Sequence, residues 1–503
     1  MMSTVNQNDK VTTVLINKTE YDFRVILISP ENRFFVFRPE AIKELSICST
    51  INNYYATGHL VIDDSYDVLE RPAGDGTKPF AFRGDSREYI KVEITPKLTN
   101  NNITAATSDK VKSVFTLAYD FAIHNIEDLL DAKPNVKYRK LHLWDMWHQI
   151  MIERNIQFST SEALTGVPYK PNVNNEDRGI PTGTAIKEVI KKALPADEGF
   201  NPSFSVFDVG STNVFFTSPA NYKAEDCIQY LLERHVTSQA ENYDRSFLKI
   251  ERYPKAWSLT SLKSLFDQAY DAAGDAGGQL FLEKFIIAGN SDVTASNKLQ
   301  VIISRAPKVA VYFADTNTID NFSFIPPAGR ITQQRVNNRI VHNYDQGSKM
   351  FSVDTKDNTF DTVQTVYKQN YVDSMKGHNG KPASNLVGNF LRNQCKNVEH
   401  VYSTASTPNQ RLGVGRGEAL MQAVLNSNTI IFRARGATYR DAGRFIGIDR
   451  DNSLPDSTFD SKMLGIYLIV SVTHSFIGGD YYTDMICVKT YNFADTGEAG
   501  QYI

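Results

Sequence analysis

The 503-residue sequence has only four cysteines, Cys48, Cys227, Cys395 and Cys487, far apart and without a CxxC pair. That argues against a disulfide framework and against a structural zinc site built on paired cysteines. No run reaches eighteen apolar residues, so no segment reads as a membrane-spanning helix. The N-terminal MMSTVNQNDK lacks the apolar core of a signal peptide. Neither sign of charge is in excess: 54 Lys and Arg stand against 57 Asp and Glu, a formal charge of -3. This balance argues against a basic nucleic-acid coat, and 41% apolar content argues against wholesale disorder. Catalytic signatures are missing too. There is no HExxH, no GxSxG and no Walker-type loop, and the histidines do not cluster.

What the sequence has in quantity is aromatic: 24 Tyr and 29 Phe against 9 Met. Aromatic and β-branched residues suit pleated, half-buried surfaces, and the Asn and Gly between them suit turns. The length exceeds what one core supports, so two to four domains are expected. The expected fold is α+β and β-rich, with two small tube-like β-barrel domains and an inserted α+β region. The divisions expected are a flexible arm at 1–12, a first barrel at 13–135, an insertion at 136–297, extended chain and long loops at 298–412, and a second barrel at 413–503.

Period-two alternation is clearest in REYIKVEITPKL, where Ile90, Val92 and Ile94 share one face. Residues 138–156 carry Leu141, Trp144, Trp147, Ile150 and Met151 at three-to-four spacing and read as an amphipathic helix. Further helices are expected at Thr184–Leu194, in YKAEDCIQYLLERHV with Ser218–Pro219 as its start, and at Ser258–Ala272. The final segment GIYLIVSVTHSFIGGDYYTDMICVKTYNF reads as a hairpin turning near Gly478–Gly479. Alternation places Leu468, Val470, Val472 and His474 on one face of its first arm.

Each chemical motif has a bland counterpart. GVGRGEAL holds three alternate glycines after a polar loop, not a GxGxxG after a strand, and reads as a helix start. Asp63 and Asp64 are adjacent and diverge on a strand, so they do not form a glycosidase pair. His474 sits mid-strand, in a packing or hydrogen-bonding place. Arg433 and Arg435 share a strand face opposite Ile430, Phe432 and Ala434. Such a face belongs to a solvated sheet, or to the polar inside of a ring built from several chains.

The final hairpin resembles the last hairpin of the central hub proteins of contractile bacteriophage tails, which are related to the hub region of type VI secretion spike proteins. The matching positions are Gly465, Tyr467, Val472–Thr473–His474, Gly478–Gly479 and Tyr481–Tyr482–Thr483. Upstream, NNYYATGHLVIDD resembles the family's glycine-bearing strand that closes on an acidic turn, whereas Ala442–Gly443 departs from the family's Pro-Gly. The resemblance implies a structural protein without catalytic residues, cofactor or metal. It implies a homotrimer whose paired barrels form a pseudo-sixfold ring between tail tube and central spike in the virion baseplate. The partners implied are the spike, the tube or tube-initiator protein, the baseplate wedge proteins, and DNA that crosses the channel without specific binding. Tyr467, Val470, Val472, His474, Tyr481 and Thr483 are then fold or interface residues, with Arg433 and Arg435 on a polar or lumen face. The competing readings are a hexameric baseplate or tube-initiator protein and a tail-associated cell-wall hydrolase.

Overall fold

Along Tyr89–Pro96, Ile90, Val92 and Ile94 are fully buried while the residues between them are half-buried, the two-residue period of a strand with one face on a core. The computed structural model describes residues 12–16, 19–30, 34–65, 80, 88–96, 116–130, 136–160, 179–210, 213–214, 216–233, 235, 237, 246–252, 255–261, 429–450 and 465–491, with short strands between 283 and 401. The expected arm at 1–12 and the loops at 373–412 fall almost wholly outside the described residues.

The N-terminal strands are β1 (Thr12–Ile16), β2 (Thr19–Ile28), β3 (Phe34–Val36), β4 (Ile42–Thr50), β5 (Thr57–Asp63), β6 (Tyr89–Pro96), β7 (Leu117–Leu130) and β8 (Lys137–Asp145). They run β1–β2–β6–β7–β8–β5–β4, with β1 and β3 sharing the outer edge of β2. Their inward residues, among them Val25, Leu45, Leu60, Val92, Phe121 and Leu143, form one core.

The middle of the chain contains α1 (Met146–Glu153), β9 (Ile180–Pro181), α2 (Thr182–Ala193), β10 (Phe204–Phe207), β11 (Asn213–Val214), α3 (Ala224–Leu232), β12 (Ser246–Arg252) and β13 (Lys255–Ser261). The sheet β10–β13–β12 packs with the helices around Trp147, Ile186, Ile190, Ile228 and Trp257. The expected helix at 138–156 is a strand up to Asp145. Arg139, Leu141, Leu143 and Asp145 alternate inward there, and that period prevails over the looser three-to-four spacing. Asp145 then caps α1, its Oδ1 accepting from the Trp147 amide at 2.8 Å. The helix expected from Ser258 is also a strand, because Trp257 and Leu259 face the core from β13 in register with β12; residues beyond 261 lie outside the described set. Ser218 does not cap α3. Its hydroxyl accepts from the Phe158 amide at 2.8 Å, and Asp226 closes the helix start on the Lys223 amide at 2.9 Å.

The remaining strands are β14 (Glu283–Ile287), β15 (Gln300–Ile303), β16 (Val309–Tyr312), β17 (Thr318–Ile319), β18 (Phe322–Ile325), β19 (Lys349–Asp354), β20 (Thr359–Gln364), β21 (Glu399–Val401), β22 (Thr429–Arg435), β23 (Phe445–Arg450), β24 (Gly465–Ile477) and β25 (Asp480–Tyr491). β24 and β25 form the hairpin expected from sequence, turning through Gly478 and Gly479 at φ of 61° and 93°. Both values are positive, as the tight hairpin turn that matches strand twist requires. One edge of β24 is divided. Residues 465–468 pair with β23, residues 471–477 pair with β4, and β25 follows the opposite edge.

That division overturns the two expected barrels. Closing the first sheet would require β4 to meet the β1–β3 edge, but β24 occupies the free side of β4 and extends the sheet into a 15-stranded network. Among the described residues no sheet closes on itself. Rings bridge the gap instead, Phe23 meeting Phe476 and Tyr21 meeting Tyr481 edge-on, each at 5.8 Å.

Gly58 lies mid-β5 between β4 and β8, and a Cβ there would stand 2.3 Å from the Ser46 carbonyl oxygen. Since that obstacle is backbone, Gly58→Ala is expected to part β4 from β5 and cost about 1–3 kcal/mol in denaturant unfolding. A midpoint unchanged from the parent would refute this.

Candidate functional site

Among the described residues, a concentrated polar knot lies where β4, β12, β24 and the 436–444 loop converge. The loop is held on the hairpin by backbone bonds: the Gly436 amide to Tyr481 O at 2.8 Å, the Gly443 amide to Ile469 O at 2.9 Å, and the Ile469 amide to Arg444 O at 2.8 Å. This lowers Asp441, 2% exposed, into the seam. Asp441 Oδ1 accepts from Ser49 Oγ of β4 at 2.8 Å and from the Ala442 amide at 2.9 Å. Its Oδ2 accepts from Lys249 Nζ of β12 at 2.7 Å and lies 3.7 Å from Arg252 Nε. Burial alone raises a carboxyl, but the Lys249, Arg252 and Arg444 charges outweigh it and hold Asp441 well below the usual carboxylate range. One carboxylate thus ties the N-terminal sheet, the middle unit and the C-terminal loop together.

His474 lies beside this knot, fully buried. Its Nε2 is 3.0 Å from the Arg440 carbonyl and its Nδ1 2.7 Å from the Tyr481 hydroxyl. A carbonyl only accepts, so Nε2 carries the proton and Nδ1 accepts from Tyr481. Burial, reinforced by the Arg252 charge, pushes the imidazolium down to about 3, so the ring is neutral. The Arg440 guanidinium donates to the Arg435 carbonyl. Tyr481 stacks on Phe476 at 4.0 Å, joining this polar chain to the N-terminal core.

A second tie comes from the turn after β4. It inserts Tyr54 into the middle core against Trp257 at 5.4 Å, and the Tyr54 carbonyl accepts from the Ile250 amide at 2.8 Å. The Tyr54 hydroxyl donates to Glu225 and lies 2.9 Å from His148 Nδ1. Tyr55 stacks on the His148 ring at 3.4 Å. Burial, with His124 nearby, pushes His148 down to about 4.

The residues singled out in the sequence do not form one constellation. Tyr467 and Val472 are fully buried in the C-terminal core with Ile469, Met485 and Cys487. Val470 occupies a bulge between the two pairing halves of β24, and its carbonyl accepts from the Ile51 amide at 2.8 Å. The bulge shifts the alternation, so Val472 shares the core with Tyr467 and Ile469, not the expected face with Leu468. Thr483 is buried opposite His474, its Oγ1 accepting from the Ala437 amide at 3.2 Å. Arg433 is on the other face of the sheet, exposed, with a two-pronged bond to Asp484 at 2.7 and 2.9 Å. Arg435, two residues on, is partly desolvated, and burial lowers its guanidinium below the ordinary value. Asp441, Lys249, Arg252 and Tyr54 were not singled out in the sequence. Lys249 and Asp441 are 192 residues apart, and no local spacing signals the pair.

A cleft of about 160 Å³ adjoins the knot, lined by Thr50, Phe247, Ser258, Thr260 and Arg444, with Glu251 as its one carboxylate. Glu251 accepts from Ser258 Oγ at 2.8 Å. Among the described residues no three His, Cys, Asp or Glu are arranged to hold a metal ion, and no helix is long and apolar enough to cross a membrane.

No protein-family model matches the sequence, and neither does any curated protein. Among solved structures, the chain is similar to phage tail proteins and to a component of the type VI secretion system. The tail protein from Neisseria meningitidis MC58 is 6% identical at a TM-score of 0.45, over 93% of this chain and 96% of that one. The 43 kDa tail protein of prophage MuSo2 from Shewanella oneidensis is 9% identical at 0.44, over 93% and 98%. A chain of the Francisella PdpA–VgrG complex is 12% identical at 0.44, over 94% of this chain and 53% of that one.

Proposed function

We propose that this chain is a structural hub of a contractile-tail baseplate in the virion. Three copies form a pseudo-sixfold ring that adapts a hexameric tail tube to a trimeric central spike, within a surround of wedge proteins. The observation that carries the reading is the division of β24 between β23 and β4, locked by Asp441. It makes two sheets from distant parts of the chain into one continuous wall, as a load-bearing adaptor requires.

The outward face of that wall supports a passage for nucleic acid. On it Arg433 is paired with Asp484, while the His59 and His142 rings lie 2.8 Å and 3.5 Å from the Glu44 and Glu127 carboxylates. Between them lie Ser471, Thr473 and Cys48, which are uncharged. A protein gains affinity for a polyanion when its cations displace the phosphates' counterions into solvent, so a face on which Arg433 is already held by Asp484 grips DNA less and lets it slide.

The test is the mass of the purified assembly, with its copy number in a reconstruction of the particle. A three-copy ring at the tube–spike junction is expected. A six-copy ring would transfer the reading to a tube-initiator protein, and a monomer that cleaves cell-wall polymer would overturn it.

A further inference from the structure

We infer that the open edge of β10 on one protomer pairs with the open β3–β1 edge of a second copy, an assignment that rests on the ring reading. Of the three-stranded sheet's two edges, β12 is met by the Tyr54 carbonyl, whereas among the described residues β10 has a strand partner only on its β13 side. The Trp257 amide bonds the Ser203 carbonyl and the Asp208 amide bonds the Leu259 carbonyl, so the backbone groups of Phe204 and Phe207, between them, face the open edge. On the large sheet, β3 pairs only with β2 among the described residues. Since the Phe37 amide bonds Val25 O, the backbone groups of Phe34 and Val36 point away from β2.

Each edge carries a large apolar side chain in water: Val206 is 61% exposed and Phe34 is 53% exposed. Proteins ordinarily blunt open edges with charge, proline or a covering element, and an uncovered edge with an exposed apolar residue is a template for another strand. The charges beside the two edges are complementary. Lys187 Nζ lies over the Phe204 and Phe207 rings at 5.4 and 4.8 Å, and Glu40 is exposed just after β3. Neither has an ionic partner among the described residues. Arg38 is also exposed near Glu40, so the pairing commits to Glu40 as the group that meets Lys187.

Two copies related head to tail match these halves. Each chain supplies one β10 edge and one β3–β1 edge, so in a closed ring every such edge is covered. Pairing β10 with β10 would leave every Phe34 edge bare.

The test mixes Phe34→Cys chains with Val206→Cys chains of different tag mass, assembles them, and oxidises the product. A disulfide joining one chain of each kind is expected, with neither variant alone giving a cross-linked pair. Lys187→Glu and Glu40→Lys are each expected to weaken assembly about tenfold, and combining them to restore it to within about threefold. A three-copy assembly lacking the cross-link, with silent charge swaps, would overturn this edge assignment and leave the ring standing. A monomer under all conditions would overturn both.

Discussion

Asp441→Ala is expected to lower the unfolding free energy by about 3–5 kcal/mol, because it leaves the Lys249 ammonium and the Arg252 and Arg444 guanidinium groups facing one another without their shared counter-charge. The loss also strands the Ser49 hydroxyl on β4, so the damage extends from the loop into the seam between the sheets. Asp441→Asn keeps the shape and the bond from Ser49 but not the charge, and its loss should fall between those of Ala and the parent. Chemical denaturation measures both, with Asp197→Ala, an exposed acid, as a control expected within about 0.5 kcal/mol of the parent. The Ala variant is also expected to unfold in two steps, since the carboxylate is a principal tie between the middle unit and both sheets. A single transition with a loss under about 1 kcal/mol would show that the knot holds nothing together.

Elements whose neighbours in sequence are also their neighbours in space were legible. Alternation gave β6, glycines gave the β24–β25 turn, and apolar spacing gave α2 and α3 to within a few residues. Residues 137–145 show where this failed. Trp144 and Trp147 mimic a helical stripe, yet Arg139 is an inward strand residue whose guanidinium meets the buried Asp64 at 2.9 Å, a partner 75 positions away in the sequence. A buried charge with a distant partner looks polar and outward to any pattern reading. The barrel error has the same origin. Alternation states that β4 has a core face, but not which strand takes its free edge, and that strand comes from more than 400 residues further along. Among the candidate residues, His474 and Tyr481 were legible as strand positions, while their mutual bond depends on a hairpin register that only the turn fixes.

Acid is expected to destabilise the protein well above the pH at which its depressed carboxylates titrate. An unfolded histidine binds its proton near pH 6.5, whereas His474 is pushed down to about 3 and His148 to about 4. The unfolded chain therefore holds more protons than the folded one between those values. Stability is fully present above about pH 6.5 and falls as the pH drops, by up to about 1.4 kcal/mol per pH unit for each group. The window ends near 4 for His148 and near 3 for His474. Asp441 acts with the same sign but lower on the pH scale: its folded value is depressed too, so its contribution remains whole down to about pH 4 and disappears only below that. Glu225 is raised by burial, against its bonds from Gln229 and Tyr54, and so offsets part of the His148 loss as the pH falls. Among the described residues the carboxylate that acts on His474 is Asp441, which is depressed and does not compensate. Its Nδ1 faces the Tyr481 hydroxyl, and a second ring proton there would displace the bond that holds Tyr481 against Phe476. Urea midpoints at pH 7, 6, 5 and 4 measure the slope, and His474→Gln, which cannot titrate, should flatten it by about one proton. Equal slopes in parent and variant would show that His474 is not the proton acceptor that separates the unfolded chain from the folded one.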